Sequence, residues 1–396
     1  MQFCTIFQVL YFKFYVSSFM KIVFTGGGTG GHFYPIIAIA ENILKIAEKE
    51  KLVDIRMYYL APTPYNKEML FRHELTYRYI PAGKIRAYFS ISNFFDFFKT
   101  GLGILKALWT LYIIFPDVVV GKGGYASFPT LLAAKFLGIP VIIHESDSIP
   151  GKVNRWAGTF AKRIALSYPE AEKYFPKKAT AWTGNPIREE ILTAIKHGAH
   201  EFLKLEEGVP VILILGGSQG AQRINETIID TLPLLLEHYQ IIHQTGAKNI
   251  HDVQGIASVA LEHNQYKIRY KPFAYLDTSA IRMSAGIADL IISRAGSTIF
   301  EIAAWGIPSI IIPIPEAIAH DQRENAFTYA RTGACEVLEE ANLSPHLLSA
   351  TIEKIMNDSS RREAMRVAAL AFAKRDAAEK IATEIIHLAE THYNKQ

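Results

Sequence analysis

The sequence is poor in cysteine, since Cys4 and Cys335 are the only two in 396 residues. Two cysteines cannot build a disulfide framework, and neither stands at a spacing typical of a metal ligand set. We therefore expect a protein of a reducing compartment, and we predict no metal site.

An excess of charge is also lacking. The 42 Lys and Arg residues against 38 Asp and Glu leave a net charge of +4, whereas nucleic-acid-binding proteins usually carry a dominant basic stripe. We therefore predict no nucleic-acid partner. Hydrophobic residues make up 49% of the chain and charged residues 20%, which excludes a largely disordered protein. The length predicts two domains.

The amino terminus lacks the features of a targeting segment. Residues 2–19 are apolar and aromatic-rich, but they have no basic leader and no small-residue cleavage site. They are also too short and too interrupted by polar residues for a membrane span. Met20–Phe24 then has the pattern of a buried strand. We predict that residues 1–19 are a non-native extension and that Met20 is the biological start; the alternative is a membrane-seeking appendage.

The rest of the chain repeats a strand, a turn and a helix. Ile22–Thr25 precedes a glycine-rich turn, and Pro35 follows at a position expected in the first turn of a helix. The same order returns from Val211–Leu215 through a second glycine turn to a helix from Ala221. This alternation predicts an α/β fold with parallel sheets.

A second unit also occurs twice. Asp117–Val120 and Asp289–Ile292 each lead through glycine into a helix that ends at Gly-Ile-Pro and is followed by another strand. We predict two doubly wound domains, at 20–184 and 185–370, and a C-terminal helix within 371–396 that returns to the first domain. Ligands of such sheets bind at the carboxyl ends of the strands, so we expect a cleft between the glycine turns.

Gly26-Gly27-Gly28-Thr29-Gly30-Gly31-His32 contains the pattern G-x-G-x-x-G at a predicted helix start. Glycines there let backbone amides approach an anion. A dinucleotide site also needs an acidic residue after the second strand, but Ile55–Leu60 runs into Ala-Pro-Thr, which argues against a dehydrogenase. The alternative is a tight turn without a ligand, although five glycines in this stretch favour a functional loop.

His32 follows these glycines at the entrance of the helix. A base beside amides that bind an anion could accept a proton from a ligand hydroxyl. The alternative is a histidine that only hydrogen-bonds the turn.

Ser293-Arg294-Ala295-Gly296-Ser297-Thr298-Ile299-Phe300-Glu301 is the corresponding turn of the second half. Thr298 and Glu301 fit a capping box, in which Glu301 only satisfies a helix-end amide. The carboxylate of Glu301 could instead accept hydrogen bonds from both hydroxyls of a ribose. The spacing alone leaves the capping role and the ribose role open.

Further polar residues stand near the predicted strand ends. Arg188 could clamp a diphosphate with its planar guanidinium, and Ser218 adds a hydroxyl to the second glycine turn. Gln322 and Asn325 could hydrogen-bond a sugar or cap a helix.

The stretch from Lys84 to Phe115 is apolar and aromatic, with Lys84, Arg86, Lys99 and Lys106 interleaved. Lys106 and the glycines argue against a membrane span. An apolar face with basic neighbours is typical of a helix lying in an anionic membrane surface. The alternative is a helix pair buried in the amino-terminal core.

The motifs occur in a characteristic order: Gly26–His32, Gly121-Lys122-Gly123-Gly124-Tyr125, His144-Glu145, Gly184–Arg188, Gly216–Gly220, Ser293–Glu301 and Gln322. In this order, from Met20 to near the end, the chain resembles the MurG-type UDP-N-acetylglucosamine:lipid I N-acetylglucosaminyltransferases of bacterial peptidoglycan synthesis. Any one motif is unspecific, whereas the ordered set is specific.

The resemblance implies the two-domain GT-B architecture, with the acceptor site in the first domain and most of the donor site in the second. His32 is the family's candidate base. The implied donor contacts are Thr29, Gly30 and Gly31 to the sugar and diphosphate, Arg188 and Ser218 to the diphosphate, Ala274 near the uracil, Ser297, Thr298 and Glu301 to phosphate and ribose, and Gln322 to the sugar hydroxyls.

Two departures from the family pattern stand out. Where the family commonly has His-Glu-Gln-Asn, this chain has His144-Glu145-Ser146-Asp147, so a sugar-contacting amide becomes a carboxylate that accepts but does not donate when ionised. The loop from Arg294 to Glu301 also looks one residue shorter than the common pattern.

The resemblance further implies inverting transfer of N-acetylglucosamine from UDP-N-acetylglucosamine to lipid I, which forms lipid II, by a peripheral enzyme at the cytoplasmic face of the plasma membrane. The implied partners are the two substrates, an anionic membrane surface and other cell-wall synthesis proteins. No cofactor is predicted, although free Mg²⁺ could assist. The alternatives are a UDP-sugar epimerase of the same fold and a catalytically silent nucleotide-sugar-binding subunit; the intact Gly26–His32 motif argues against the latter.

Overall fold

The computed structural model describes residues 20–52, 54–84, 91–216, 221–315 and 320–393. They divide into two compact units. The first contains the residues up to Arg188 together with those from Asp376 onward, and the second is Glu189–Arg375. The extension predicted at residues 1–19 lies outside the described residues.

The sheet of the first unit has seven strands: β1 (Met20–Thr25), β2 (Ile55–Ala61), β3 (Leu75–Tyr79), β4 (Val118–Gly121), β5 (Val141–Glu145), β6 (Arg163–Leu166) and β7 (Thr180–Trp182). Their order is β3-β2-β1-β4-β5-β6-β7, and every neighbouring pair is parallel. The order reverses between β1 and β4, which is where parallel sheets of this type bind their ligands.

Helices cover both faces of this sheet: α1 (Gly30–Glu50), α2 (Lys67–Arg72), α3 (Ile91–Ile114), α4 (Phe128–Phe136), α5 (Lys152–Ala157) and a C-terminal helix (Ala377–Tyr393). Successive side chains of a strand point to opposite faces. Phe24 of β1 therefore packs with α1 and with Ile385 of the C-terminal helix, whereas Val23 packs on the other face with Leu111 of α3.

The second unit has a six-stranded sheet: β8 (Val211–Leu215), β9 (Gln240–Gln244), β10 (Tyr270–Phe273), β11 (Ala288–Ser293), β12 (Ser309–Ile311) and β13 (Cys335–Val337). The order is β10-β9-β8-β11-β12-β13, again with parallel neighbours throughout. Its helices are α6 (Glu189–Leu192), α7 (Ala199–Leu203), α8 (Gln222–Leu235), α9 (Ile250–Ala260), α10 (Thr278–Ile287), α11 (Thr298–Trp305), α12 (His320–Arg331), α13 (Pro345–Met356) and α14 (Ser359–Phe372).

The repeated aspartate of the sequence has the same task in both units. Asp117 Oδ2 accepts a hydrogen bond of 2.8 Å from the N–H of Lys21, and Asp289 Oδ2 accepts one of 2.9 Å from the N–H of Val211. Each bond joins the first strand of a unit to its fourth, so the sequence repeat reflects a repeated way of aligning two parallel strands.

The predicted α/β fold with two parallel sheets and a returning C-terminal helix is confirmed. The start of the first helix was predicted wrongly: α1 begins at Gly30, so Pro35 is its sixth residue rather than a first-turn residue. The turn uses Gly26, Gly27 and Gly28, all with positive φ. Gly30 and Gly31 are helical. Glycine adopts both turn and helical backbone angles, so its presence in the sequence does not show where the turn ends and the helix begins.

The boundaries between the units lie a few residues beyond the expected ones. His144 Nε2 is 3.3 Å from the carbonyl oxygen of Gly184, which ties this segment to the first sheet, and the division follows at Arg188. At the other junction, Arg375 donates to the carbonyls of Leu192 and Ala304. These bonds hold the chain to the second unit as far as Arg375.

The packing of the C-terminal helix predicts a stability effect. Ile385 is fully buried, so Ile385→Ala should lower the free energy of unfolding of the first unit by about 2–5 kcal/mol through the cavity it leaves. Urea denaturation followed by tryptophan fluorescence measures this, since Trp109, Trp156 and Trp182 lie in the first unit. The matched control is Ile256→Ala, whose side chain is 55% exposed and should change stability by less than about 0.5 kcal/mol. Equal effects of the two substitutions would contradict the assigned packing.

Candidate active site

The glycine turn after β1 is shaped by close contacts as well as by backbone angles. A Cβ at Gly26 would lie 2.9 Å from Lys122 Cβ, and one at Gly27 would lie 2.9 Å from the Tyr59 hydroxyl. Gly28 has a φ of +97°, which L side chains rarely adopt. Close contacts at Gly26 and Gly27 and the backbone angle at Gly28 therefore require glycine at these three positions, and their number is not in itself a sign of a ligand.

Thr29 and His32 form a contact at the start of α1. Thr29 has the extended backbone of an N-cap residue, but its side chain does not cap the helix. Its Oγ1 lies instead 2.9 Å from His32 Nδ1. This is the hydrogen bond to the turn that was the alternative role for His32. It also orients the ring and leaves Nε2 as the nitrogen with which the imidazole could act as a base.

The first amides of α1 belong to Gly30 and Gly31. By the geometry of any helix start, such N–H groups have no acceptor within the helix. Together with the positive end of the helix dipole they favour an anion. The start of α1 beside His32 therefore has the general geometry that favours an anion.

The imidazole of His32 is neutral at neutral pH. Burial, and secondarily the positive charge of Lys122, lower the pKa of His32 to about 3. A base of this strength is weak in the ligand-free protein, but a bound anion would raise its pKa because negative charge favours the protonated form.

Lys122 is a residue of the site that the sequence did not single out. It follows β4, is 2% exposed, and its Nζ has no hydrogen-bond partner within the part of the chain that the structure describes. Burial lowers the pKa of Lys122 to about 8, while Glu145 and Asp147 act to raise it. Lys122 belongs to the Gly121–Tyr125 motif at the end of β4, but no local sequence pattern indicates that its side chain is buried.

Glu145 ends β5 in a cage of donors. It accepts hydrogen bonds from the N–H of Asp147 at 3.0 Å, the N–H of Gly151 at 3.1 Å and Asn154 Nδ2 at 3.0 Å. Burial, followed by the negative charge of Asp147, raises the pKa of Glu145 to about 7. Asp147, predicted as a sugar contact, is half-buried beside this cage.

His144 is buried within the first unit and bonds to groups of the protein interior. It is fully buried, and its Nε2 lies 3.2 Å from Ser167 Oγ in addition to the contact with Gly184. Burial and Lys122 hold the pKa of His144 well below its usual range. The imidazole thus joins two strands and the Gly184 segment as a neutral group.

Arg188 lies against an aromatic ring. Its guanidinium carbon is 4.5 Å from the centroid of Tyr34 of α1, a cation–π distance. Arg188 is half-buried and belongs to the first unit. The sequence predicted the arginine as a diphosphate contact but had no signal for its stacking on Tyr34.

In the second unit, the predicted donor residues follow different strands at the same edge of the sheet. Ala274 comes directly after β10, and Leu276 N–H donates to Gln244 Oε1 at the end of β9. The loop with Ser297 follows β11. Because all strands are parallel, these carboxyl ends lie together. Ser218 is outside the described residues.

The capping-box hypothesis for the loop after β11 does not match the helix start. Ser297, not Thr298, is the N-cap residue of α11, and its side chain makes no cap bond. Thr298 is the first helical residue. Ser297, Thr298 and Glu301 are all half-buried, so a ligand at the edge of the sheet could reach them.

Two residues of α12 lie against this loop with different burial. A Cβ at Gly296 would be 3.9 Å from Gln322 Nε2, and Gln322 is half-buried. Asn325 is 1% exposed and donates to the carbonyl of Ala295 at 3.3 Å. Gln322 therefore remains a candidate for a ligand contact, whereas Asn325 holds the loop in place.

Arg294 also holds the loop, and the sequence did not indicate this. It donates to the carbonyls of Ile312 and Pro313 and forms an ion pair of 2.5 Å with Glu340. The described residues contain no group of three His, Cys, Asp or Glu side chains placed to hold a metal ion.

Two protein-family models match this chain and together cover most of it. Residues 22–166 match the Glycosyltransferase family 28 N-terminal domain, and residues 211–381 match the Glycosyltransferase family 28 C-terminal domain. A UDP-N-acetylglucosamine--N-acetylmuramyl-(pentapeptide) pyrophosphoryl-undecaprenol N-acetylglucosamine transferase of Halothermothrix orenii is 38% identical over 353 residues, which are 87% of this chain and 93% of that protein.

Solved structures show the same architecture. The crystal structure of Acinetobacter baumannii MurG has a TM-score of 0.70 and 26% identity, and the match covers 93% of this chain and 99% of that one. A UDP-GlcNAc 2-epimerase from Neisseria meningitidis, bound to UDP-GlcNAc, has a TM-score of 0.64 over 93% of this chain and 99% of that one. Its identity of 15% shows a shared fold only. On the likeness of both domains and of the full-length relative, the chain belongs to glycosyltransferase family 28 and, within it, to the UDP-N-acetylglucosamine–N-acetylmuramyl-(pentapeptide) pyrophosphoryl-undecaprenol N-acetylglucosamine transferases.

Proposed function

We propose that this protein transfers N-acetylglucosamine from UDP-N-acetylglucosamine to lipid I and so forms lipid II in peptidoglycan synthesis. The likeness to the Halothermothrix orenii transferase, at 38% identity over 87% of the chain, carries the proposal. The epimerase alternative is supported only by fold, at 15% identity.

His32 is the proposed catalytic base. The acceptor hydroxyl oxygen attacks the anomeric carbon of the donor sugar, its proton passes to His32 Nε2, and the bond from the anomeric carbon to the UDP oxygen breaks with inversion. The Thr29 contact at Nδ1 orients the ring for this transfer. The negative charge of the incoming substrates raises the pKa of His32 from its low value and makes the imidazole a stronger base.

The proposed donor contacts come from both glycine turns and the loop after β11. Gly30 and Gly31 amides, together with Thr29, meet the sugar and diphosphate, and Arg188 and Ser218 meet the charge of the departing UDP. In the second unit, Ala274 lies near the uracil, and Gln322 contacts the sugar hydroxyls.

Glu301, Ser297 and Thr298 complete the proposed donor site at the ribose and phosphate. Glu301, half-buried near the start of α11, accepts hydrogen bonds from the ribose hydroxyls. We expect no required cofactor, since amides and a guanidinium can balance the diphosphate charge; free Mg²⁺ would only add to this.

The proposed membrane-binding surface is one face of α3. Its aromatic and aliphatic side chains are largely exposed: Phe94, Phe95, Phe97, Phe98, Leu102, Leu105, Trp109, Tyr112 and Ile113. An exposed apolar patch of this size is typical of a membrane or protein contact. Lys99 and Lys106 are exposed among these residues and favour an anionic lipid surface. Arg86 and Phe89, predicted as part of the same patch, lie outside the described residues.

The other face of α3 argues for a helix that lies on the membrane. By length and composition Phe94–Ile114 could cross a bilayer, but Ala107 and Leu111 are fully buried in the core of the first unit. A Cβ at Gly103 would overlap the carbonyl oxygen of Pro81. One side of α3 is thus occupied by protein, which supports peripheral binding, and we propose the cytoplasmic face of the membrane as the surface bound.

Glu301→Ala should weaken UDP binding about tenfold, because a pair of ribose hydroxyls loses its charged acceptor. Isothermal titration of UDP into the folded variant measures the change. The matched control is Glu262→Ala on the surface of the second unit, which should bind UDP normally. Unchanged affinity in Glu301→Ala would refute the ribose assignment.

Wild-type protein should convert labelled UDP-N-acetylglucosamine and a short-chain lipid I analogue to the lipid II analogue. His32→Ala should reduce kcat by roughly 10²–10⁴ and leave UDP affinity within a few-fold, since a base acts in the transition state. His32→Asn should rescue little, because the amide can keep the bond to Thr29 but cannot take the proton. His263→Asn, at an exposed position, is the control.

Near-normal turnover of His32→Asn at saturating acceptor would make His32 a turn residue, and Glu145 or Asp147 would then be the next candidate bases. Conversion of UDP-N-acetylglucosamine without an acceptor would instead support the epimerase.

The protein starting at Met20 should sediment with anionic vesicles and be released by salt and detergent. Replacing Phe94, Phe95 and Phe98, each more than half exposed, with Ser should reduce sedimentation without loss of UDP affinity, because apolar area no longer enters the interface. Replacing the exposed Ile256 and Val259 of α9 with Ser is the control. Full vesicle binding by the triple variant would place the membrane surface elsewhere.

A further inference from the structure

His243 lies at the centre of a buried hydrogen-bond network in the second unit. It belongs to β9 and is fully buried. Its Nδ1 lies 2.9 Å from the hydroxyl oxygen of Tyr270 on β10, and its Nε2 lies 3.0 Å from Oδ1 of Asn225 on α8. A buried polar network whose members are all satisfied fixes the elements that it joins in one arrangement. His243 therefore holds β9, β10 and α8 together.

The partners of His243 determine which of its nitrogens carries the proton. Asn225 Nδ2 donates to the carbonyl of Thr245 at 3.0 Å, so the amide oxygen of Asn225, which only accepts, faces the imidazole. Nε2 of His243 is then the donor, and Nδ1 accepts from the hydroxyl of Tyr270. Burial lowers the pKa of His243 to about 3, so the ring is neutral. It supplies one donor and one acceptor, which an apolar residue cannot do.

The network continues to the loop that follows β10. Thr245 comes directly after β9, and both its N–H and its Oγ1 donate to the carbonyl of Phe273, at 2.9 Å and 3.2 Å. Three residues later, the N–H of Leu276 donates to Gln244 Oε1 at 3.0 Å. The short segment that contains Ala274 is thus held on both sides by the carboxyl end of β9.

Ala274 can offer a ligand only its backbone polar groups, one N–H donor and one carbonyl acceptor. Uracil has an acceptor, O4, where cytosine has an amino donor. The neighbouring N3 is a donor in uracil and an acceptor in cytosine. A backbone N–H and carbonyl in fixed positions therefore match one base and oppose the other, whereas a loose backbone could adapt to either. Discrimination between the two bases depends on how firmly the loop is held.

We propose that His243 is a positioning residue for base selectivity: through Asn225 and Thr245 it holds the loop of Ala274 in the one arrangement that accepts uracil nucleotides and rejects cytosine nucleotides. The inference rests on the proposed function, since it takes Ala274 as the neighbour of the uracil. His243 is fully buried, so it acts on the nucleotide only through these hydrogen bonds.

Titration of UDP and of CDP into the full-length protein tests the inference, with selectivity measured as the ratio of the Kd for CDP to the Kd for UDP. His243→Met removes both hydrogen bonds of the ring, whereas His243→Gln keeps one donor and one acceptor. The matched control is Gln240→Met at the opposite end of β9. Gln240 is also fully buried, but its side chain bonds to the backbone of Glu206 and Val209, away from the loop of Ala274.

His243→Met and Gln240→Met should each lower the Tm by roughly 5 °C, because each leaves buried polar partners unpaired. Only His243→Met should also lower the Kd ratio, by about tenfold, and His243→Gln should restore most of it. Thr245→Val removes one hydroxyl from a fully buried side chain of the same shape and should lower the ratio about threefold. This milder variant decides the matter if His243→Met does not fold.

An unchanged Kd ratio in folded His243→Met would overturn the inference, and so would an equal fall of the ratio in Gln240→Met, since the effect would then be a general loosening of the unit. Wild type that binds CDP as tightly as UDP would also overturn it. If wild type prefers UDP but transfers no sugar to the lipid I analogue, the proposed function fails. The titrations contain no acceptor and still decide the role of His243.

Discussion

The chemistry of each unit depends on the pairing of its first strand with its fourth. The register places Thr25 opposite Gly121 in the first unit and Leu215 opposite Ser293 in the second, so the paired strands end together. An aspartate at the start of the fourth strand fixes this alignment in both units. The loops that leave these strand ends carry the candidate residues, because the reversal of strand order opens the sheet at this edge.

Burial shifts the pKa of three ionisable groups in the first unit. The pKa of Lys122 is lowered to about 8 and that of His32 to about 3, whereas that of Glu145 is raised to about 7. In the free protein the proposed base is therefore weak, and burial is the main reason. Negative charge brought by a ligand would raise the pKa of His32 and so become part of the proposed catalytic arrangement.

Helix α3 combines two tasks that usually fall to different helices. Its inward face completes the core with Ala107 and Leu111, and its close approach to Pro81 requires Gly103. Its outward face, which includes Phe94 and Trp109, has no covering element among the described residues. The core contacts hold the apolar face in a fixed place, so contact with a lipid surface would not require the unit to unfold.

The layered α/β fold and the positions of the loops that carry the candidate residues could be predicted from the sequence alone. Val211–Leu215 is apolar throughout because a strand buried on both faces exposes no side chain to water, and the repeated glycine turns indicated the strand ends. The burial of Lys122, the stacking of Arg188 on Tyr34 and the start of α1 at Gly30 became visible only in the folded structure. Burial, charge compensation and close approach are set by neighbours in space that are distant along the chain, so no local pattern of residues could reveal them.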